Sequence, residues 1–380
     1  MDDPKRIRNL FGHMDHHLSI EGVLTGAVAG RVHASPRAAM VVNVQGLLLG
    51  GDPEDLGFFR EMNRTVRTEI LPERMQTGRL DYVVFRPVGD GRDEAWERAL
   101  DVLLEGLDAM PDTRLTFHRT LADAETALPA GIEAVTPEML SDQALAADEG
   151  VEGVIEEIRS GWPSLESFFA RGFGTVARPD GRIAGWCLTD WVVGDAIEIG
   201  IETYPDHRRQ GWAKRMAEGT LALAAARGIR RAGWHCWAGN TGSARTALAA
   251  GLTRTASFPV RFGWCEPRSN HLVNGTYWLK GRPAAGVMPD PALAARHFAA
   301  ALDIGWDWGG WGGTPWVYWN AACAHFRAGM PDRARMYLKT AIERGWRYPD
   351  SIAASPQEHV MPADDAVAAL AYGQGEPDQG

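Results

Sequence analysis

Apolar residues recur along this chain with two spacings, strict alternation in some segments and a period of about 3.6 residues in others. This predicts strands mixed with helices. Residues 174–203 hold three short β-favouring runs, separated by turn signals at 179–181 and near Gly194. We therefore expect three antiparallel strands there. In the third, AIEIGIET, the isoleucines share one face, and Glu198 and Glu202 share the other.

A helix, a strand and a second helix are predicted directly after these strands. The segment WAKRMAEGTLALAAARG is rich in helix-forming residues and ends at Gly228. The run RRAGWHCWA favours a strand, and Asn240 or Thr241 is placed to cap a second helix that ends at Gly251. Small side chains on one face of the first helix favour close packing on a sheet.

The chain before residue 174 mixes both element types. AAMVVNVQGLLLGG and DYVVFRPV are each predicted to form one buried strand, EAWERALDVLLEGLDAM an amphipathic helix, and RLTFHRTL a further strand. One helix is expected from a Thr136 cap through EEIRS, and a short helix is expected to begin at Pro163 or Ser164. The N-terminal part carries no recognisable catalytic motif.

The last third of the chain differs in composition. GRPAAGVMPD has the proline and glycine content of a linker, and two or three amphipathic helices follow it. The predicted divisions are an N-terminal α/β region, a catalytic α/β domain, a linker, a helical domain and a frayed tail. Their bounds are 1–130, 131–264, 265–290, 291–355 and 356–380.

Charge and composition narrow the function. The 380 residues carry a formal net charge of −10, which argues against nonspecific nucleic-acid binding. No apolar run reaches the roughly 18–20 residues of a membrane span, and MDDPKRIRNL lacks a secretion-signal core, so we expect a cytoplasmic protein with no membrane partner. The four cysteines form no CxxC pair, and no metal site is predicted.

One basic stretch stands out in this acidic chain. ETYPDHRRQGWAKRM places Arg208, Arg209 and Gln210 directly before Gly211, at the predicted start of a helix. Unpaired N–H groups and the helix dipole make such a start an anion site. Gly211 permits close backbone approach, and Ala213 keeps the next helical position small. A pyrophosphate suits this arrangement, although a solvated helix start is the simpler alternative.

The motif R/Q-x-x-G-x-G/A, here RRQGWA, resembles the pyrophosphate loop of the GNAT superfamily of acetyl-CoA-dependent N-acetyltransferases. With the flanking segments, residues 131–260 resemble a bacterial subfamily related to zwittermicin A resistance acetyltransferases. The positions that match its pattern are Glu198, Glu202, Thr203, Pro205, Arg208, Gly211, Ala213, Trp234, Asn240, Ser243, Ala247 and Gly251. The resemblance implies an α/β GNAT fold, a mixed and mostly antiparallel sheet flanked by helices, with acetyl-CoA as cofactor.

The resemblance also implies roles for individual residues. Glu198 and Glu202 are the candidate catalytic bases, and the fourth GNAT strand is expected to splay from the fifth near Ile201–Thr203. Ala247 occupies the position of a tyrosine that serves as general acid in many GNAT enzymes, so water, Tyr204 or no acid at all would replace it. The candidate cofactor-binding residues are Ile201, Thr203, His207, Arg208, Arg209, Gln210, Gly211, Trp212, Ala213, Asn240 and Ser243.

Simpler interpretations stay open for several of these residues. Either glutamate could be solvent-facing or salt-bridged, and Asn240 could serve only as a helix cap. Cys187 and Cys236 are expected to be buried apolar residues, because no His/Asp partner is evident. The histidines of HMDHH, residues 13–17, offer only weak evidence for a metal site.

These features predict an acyltransferase that moves acetyl from acetyl-CoA to the primary amine of a small molecule, such as an aminated antibiotic or metabolite. The alternatives are a protein or peptide N-acetyltransferase and a noncatalytic acyl-CoA-binding scaffold. YWNAACAHFRAGMPDRARMYLKTAIERGW resembles a tetratricopeptide-like hairpin, expected either to cap the catalytic unit or to bind a protein partner or second copy. The preceding GWDWGGWGGTPW could stack on a ligand or anchor these helices.

Overall fold

A computed structural model gives the structure of residues 3–12, 14, 17–122, 127–141, 148–304 and 314–346. Within these residues a single sheet of 11 strands organises the chain. The strands are β1 Gly30–Ala34, β2 Ala38–Asn43, β3 Leu47–Gly51, β4 Asp81–Phe85, β5 Met110–Thr120, β6 Ile132–Ala134, β7 Gly174–Ala177, β8 Gly185–Val193, β9 Ala196–Thr203, β10 Arg231–Trp237 and β11 Thr253–Trp264.

Helices connect these strands and form the end of the described chain. They are α1 Pro4–Leu10, α2 Leu18–Thr25, α3 Leu56–Thr65, α4 Leu71–Gln76, α5 Asp93–Leu103, α6 Pro137–Leu140, α7 Glu149–Gly161, α8 Leu165–Arg171, α9 Trp212–Ala226, α10 Thr241–Ala249, α11 Pro267–Lys280, α12 Pro291–Asp303, α13 Thr314–Arg327 and α14 Pro331–Glu343. A π-helical stretch, Val66–Ile70, precedes α4. None of the described helices is long and apolar enough to cross a membrane.

The sheet is mixed and mostly antiparallel. Its strand order is β1-β2-β3-β4-β11-β5-β10-β9-β8-β7-β6. The predicted meander, β7 to β9, pairs antiparallel, as do β5 and β10. Parallel pairs join β3 to β4 and β9 to β10. The predicted architecture, a mixed sheet flanked by helices with a helical C-terminal region, is therefore confirmed.

The chain divides into two compact units. The first comprises the described residues up to Arg64 together with Tyr82–Leu103 and Pro111–Arg261. The second comprises Thr65–Asp81, Leu104–Met110 and the described residues from Phe262 onward. The first unit contains both the meander and the basic stretch, whereas the second contains α11 to α14. The five-part division drawn from the sequence stays a prediction.

One hydrophobic core of the first unit lies between the sheet and α9. Met216, Ala217 and Leu221 of α9 pack against the apolar face of β9 and β10, which carries Ile199 and Trp234. The small side chains of α9 allow this close approach, as the sequence predicted. Because every second residue of β9 points into this core, Glu198 and Glu202 project from the opposite face of the sheet.

Two sequence interpretations in the N-terminal half need correction. AAMVVNVQGLLLGG forms two antiparallel strands, β2 and β3, because Asn43 turns the chain between them. The Oδ1 atom of Asn43 accepts hydrogen bonds from the backbone N–H groups of Gln45 and Gly46. The segment expected as one helix after Thr136 contains α6 and α7, with residues 142–147 outside the described structure. Thr136 does cap α6, as its Oγ1 accepts from Met139 N at 3.2 Å.

Residues 265–290, predicted as a linker, contain the 14-residue helix α11. This helix packs against α12, with Gly275 against the ring of Phe298. α11 to α14 share one buried core that includes Leu279, Trp319 and Leu338. Resemblance of this region to a tetratricopeptide hairpin stays a prediction. Trp306, Trp308 and Trp311 of the Gly/Trp loop lie outside the described residues.

Candidate functional site

The basic stretch forms an open helix N-terminus. Arg209 and Gly211 both adopt left-handed backbone conformations, with φ of 63° and 83°. Gly211 is the N-cap residue of α9, and no side chain caps this end of the helix. An uncapped helix start exposes backbone N–H groups at the positive end of the helix dipole, which makes it a candidate anion site.

Side chains of the same stretch brace this turn. Arg208 Nε donates to the Thr203 carbonyl at 2.9 Å, which fixes the turn to the end of β9. The Gln210 amide donates to the Asp206 carbonyl at 3.2 Å and accepts from Trp212 Nε1 at 3.2 Å. Gln210 thus stabilises the turn, and it is not among the residues that line the cleft described next.

A cleft of about 890 Å³ opens at this helix start. Its volume falls within the roughly 300–1,000 Å³ of small-molecule sites. Glu202 lines it, and so does every predicted cofactor-binding residue except Gln210. These are Ile201, Thr203, His207, Arg208, Arg209, Gly211, Trp212, Ala213, Asn240 and Ser243. Glu198 is not among the residues that line it.

Sequence reasoning missed several residues of the same cleft. Lys214 and Arg245 add positive charge from α9 and α10, while Glu157 and Trp186 approach from α7 and β8. Lys214 lies one helical turn after Gly211, so its position could have been read from helical spacing. The other three come from elements whose packing the sequence pattern did not specify.

Asn240 and Ser243 hold the second wall of the cleft. Asn240 Oδ1 accepts from Ser243 N at 3.0 Å, so Asn240 caps α10 as expected. Ser243 Oγ accepts from the indole Nε1 of Trp234 at 2.9 Å. Both side chains are therefore oriented by the protein, and both still line the cleft.

β9 and β10 separate beside this cleft. Their parallel register joins Ala196–Glu198 only to Arg231–Gly233. Beyond that point β10 continues to pair with β5 up to Trp237, and β9 continues to pair with β8 up to Thr203. The resulting opening lies at Ile201–Thr203, where the splay was expected. Thr203 Oγ1 is buried there without a hydrogen-bond partner among the described residues, a condition that a ligand would relieve.

Glu198 lies at the closed end of this opening and is buried, with 4% of its surface exposed. Its Oε1 atom has no hydrogen-bond partner within the described part of the chain. Burial and the Asp190 carboxylate raise the pKa of Glu198 well above its ordinary value, against the effect of Arg114. Of the two candidate bases, Glu198 is therefore the buried one and Glu202 the one exposed to the cleft.

Asp190 is a carboxyl group with a raised pKa on the strand next to Glu198, and the sequence analysis missed it. A β-bulge between Thr189 and Trp191 of β8 shifts the register there and directs Asp190 over Gly200. Burial, with added repulsion from Glu157, raises the pKa of Asp190 to about 8. A Cβ on Gly200 would lie 2.6 Å from Asp190 Oδ1. Glycine inside a strand often marks such a close approach, so this signal was present in the sequence.

A polar chain extends from Glu198 on the same face of the sheet. His235 Nδ1 lies 3.9 Å from Glu198 Oε1 and 3.0 Å from Gln45 Nε2. Gln45 Oε1 accepts from Ser19 Oγ at 2.6 Å. The ring of His17, from the HMDHH motif, packs edge-on against His235 at 5.1 Å. His13 and His16 of that motif lie outside the described residues.

Ala247 and Tyr204 are the two positions that bear on whether the site has a general acid. Ala247 is fully buried in the core, so this position offers no proton donor to the cleft. Tyr204 donates its hydroxyl to the Gly150 carbonyl at 3.2 Å, and burial raises its pKa to about 12. Tyr204 therefore holds α7 in place and is not aimed at the cleft. Cys187 and Cys236 are buried and free, as expected.

The sequence model of the GNAT acetyltransferase family matches residues 9–260. No curated protein matches the chain. Similar solved structures include a GCN5-related N-acetyltransferase-like protein from Streptococcus suis, with 17% identity and a TM-score of 0.48. That match covers 69% of this chain and 98% of the other.

Two further solved structures are similar. A GCN5-related N-acetyltransferase from Sphaerobacter thermophilus has 17% identity and a TM-score of 0.42, with 70% of this chain and 95% of the other covered. A tandem GNAT protein from the clavulanic acid biosynthesis pathway has 14% identity and a TM-score of 0.37, with the same coverage of 70% and 95%.

Proposed function

Because the chain belongs to the GNAT acetyltransferase family, we propose that it transfers acetyl from acetyl-CoA to a primary amine of a small molecule, by direct attack in a ternary complex. One observation carries the proposal. The uncapped, left-handed start of α9 and the opening between β9 and β10 border the same cleft. An anion site and a slot for an extended chain therefore lie next to each other.

Acetyl-CoA fits the residues of this cleft. Its pyrophosphate would accept hydrogen bonds from the backbone N–H groups of Arg209 to Gly211, with Arg208, Lys214 and Arg245 neutralising its charge. Its pantetheine arm would enter the opening and meet Thr203 Oγ1 and Asn240. The thioester supplies the acyl group, and a backbone N–H near Ile201–Thr203 would polarise its carbonyl.

Acetyl transfer also needs a neutral amine, and Glu202 is placed to accept the proton of an ammonium group. It is exposed and lines the cleft, where its charge would attract a cation. The buried Glu198 and the partly buried Asp190 each hold a proton to higher pH than ordinary carboxyls do. We therefore assign Glu198 a positioning role at the closed end of the opening, where the acceptor amine would lie. No acid is assigned to the departing thiolate.

Turnover of acetyl-CoA with a panel of small primary amines tests the reaction. Glu202→Gln is expected to lower kcat/KM by about 10²–10⁴-fold, the usual contribution of a positioned base, with acetyl-CoA affinity retained. Glu198→Gln separates the two glutamates. An equal loss in Glu198→Gln with full activity in Glu202→Gln would instead make Glu198 the base.

The buried Ala247 favours a second candidate, a noncatalytic acyl-CoA-binding scaffold, because alanine cannot donate a proton at the position of the usual general acid. Calorimetric binding of coenzyme A alongside the amine panel and a panel of proteins separates the candidates. Tight binding without turnover on any acceptor supports the scaffold. Turnover on protein lysines or N-termini alone supports a protein acetyltransferase, and absence of coenzyme A binding contradicts all three.

A further inference from the structure

A second chemically distinctive site lies in the C-terminal unit. Among the residues that the structure describes, Asp108, His271 and His297 bring three potential metal-ligand atoms within 4.8 Å of one another. The Nδ1 atoms of His271 and His297 are 3.0 Å apart. His271 Nδ1 lies 3.8 Å from Asp108 Oδ2. In tetrahedral zinc sites, bonds of about 2.0–2.2 Å place the ligand atoms about 3.3 Å apart, which is between these two distances.

Each of the three side chains is held in place by the fold. His271 belongs to α11 and His297 to α12, and these two helices pack together. Asp108 has a left-handed backbone, with φ of 46°. Its carbonyl oxygen accepts from the side-chain amide of Asn274 at 2.9 Å. Two packed helices and the loop at Asp108 therefore hold the three side chains close together.

The chemistry of the set fits a borderline transition metal. We propose that Asp108, His271 and His297 bind a divalent transition metal ion, with Zn²⁺ the best match to two imidazoles and one carboxylate. Asp108 is exposed and His271 is partly exposed, so the ion has a path from solvent and a fourth position for water.

A hydrogen bond between two imidazoles is the competing explanation for the 3.0 Å separation. It requires a proton on one Nδ1 and a lone pair on the other, and it gives no role to Asp108. Metal binding uses lone pairs on both rings and a third ligand. The two explanations therefore differ in what substitution of Asp108 does to the uptake of a metal.

Titration of the full-length protein with Zn²⁺, followed by competition with a chromophoric chelator, tests the site. Co²⁺ provides a second probe, since tetrahedral coordination gives it intense visible absorption bands. We expect one saturable site that Asp108→Asn weakens about tenfold or more and that His271→Ala abolishes. Asparagine tolerates the left-handed conformation of residue 108, so Asp108→Asn keeps the backbone.

Asp332→Asn serves as the matched control, because Asp332 is an exposed carboxylate of the same unit, 98% accessible. It should bind Zn²⁺ like the wild type. Zn²⁺ should also raise the thermal midpoint of wild-type unfolding, and this shift should vanish in His271→Ala. The proposal is overturned if wild type and His271→Ala take up equal Zn²⁺, or if Asp108→Asn and wild type have the same affinity.

Discussion

Asp190 and Glu198 show how burial changes the chemistry of two ordinary carboxyl groups. Gly200 leaves room for one and Gly233 for the other, since a Cβ on either glycine would overlap a carboxylate oxygen. Glu198 is buried and Asp190 is partly buried, and repulsion from Asp190 adds to the cost of charging Glu198. The protein therefore favours the protonated form of this pair.

Stability should fall as pH rises because of Asp190. Its pKa is raised from 3.8 to about 8, so the folded protein holds this proton more tightly than the unfolded chain. The contribution of Asp190 to folding stability is fully present below its ordinary pKa. It is lost as pH rises toward the pKa in the folded protein, by about 1.4 kcal/mol per pH unit. Asp190→Asn should reduce this slope and leave the part due to Glu198, as measured by urea unfolding at mildly acidic and mildly alkaline pH.

Asp195 provides the control on the same hairpin. Its hydrogen bond with Arg231 lowers its pKa, so its contribution has the opposite sign and is lost as pH falls. Asp195→Asn should therefore leave the alkaline loss of stability unchanged. Equal slopes in wild type and Asp190→Asn would show that Asp190 ionises freely in the folded protein.

The two glycines at the ends of α9 separate backbone strain from ligand binding. Gly211 and Gly228 have φ of 83° and 76°, and a Cβ at either would meet open space. Alanine in this conformation costs about 1–2 kcal/mol at both positions. Gly211→Ala should in addition weaken coenzyme A binding by about tenfold, because only Gly211 borders the cleft.

Thermal unfolding and calorimetry with coenzyme A measure these two effects. Gly228→Ala should lose stability to a similar extent and keep its affinity. The anion-site assignment is contradicted if both variants bind coenzyme A equally well.

At the level of secondary structure, the two helices of the cleft begin in opposite ways. α9 starts at a glycine without a side-chain cap, which leaves its N–H groups for a ligand. α10 starts at Asn240, whose side chain already satisfies Ser243 N. The first helix is thus suited to bind an anion, whereas the second is stabilised internally.

Asn240 substitutions decide whether this residue does more than cap α10. Asn240→Ala should lower stability by about 1 kcal/mol, while Asn240→Ser should retain the cap. If the Asn240 amide also binds the pantetheine arm, Asn240→Ser keeps its thermal midpoint but loses coenzyme A affinity several-fold. Wild-type affinity in Asn240→Ser would leave capping as its only role.

At the scale of the whole molecule, α11 packs with α12 to α14 in one C-terminal helical group. Its Gly275 lies against Phe298 of α12, where an added Cβ would come within 2.8 Å of the ring. It also buries Asn270 and Asn274. Asn270 Oδ1 accepts from Trp264 N at 2.9 Å. Polar contacts and one glycine thus occupy positions that an ordinary amphipathic helix fills with apolar side chains.

Gly275→Ala tests this arrangement. Overpacking against Phe298 should cost about 1–3 kcal/mol, which outweighs the gain of about 1 kcal/mol in helix propensity. Gly57 of α3 is the control, because the nearest atom to its added Cβ is Asp55 Oδ1 at 3.8 Å. Thermal unfolding should show Gly275→Ala destabilised and Gly57→Ala neutral or slightly stabilised. The reverse order would mean that the Phe298 ring moves aside for the added methyl group at no cost.

The sequence pattern did not predict α11, and the physical reason appears when α11 is compared with the elements that it did predict. α9, the short helix after Ser164 and the meander from β7 to β9 each carry their signal in one contiguous segment, and each is confirmed. α11 lacks an apolar stripe because its buried asparagines donate to backbone carbonyls of Leu107 and Asp108, far away in the chain. Pro267 and the Glu266 cap were the local signals that could have revealed its start.

Local residue order alone was enough for the mixed α/β class and for the uncapped strand–turn–helix segment that borders the cleft. These depend on propensity, on turn chemistry and on glycine conformations, all of which act over a few neighbouring residues. Only the folded structure determines that Glu198 is buried and Glu202 exposed. It also determines the environment of Asp190 and the cluster at Asp108. Burial and charge at such groups depend on residues far apart in the chain, which strand register and helix packing bring together.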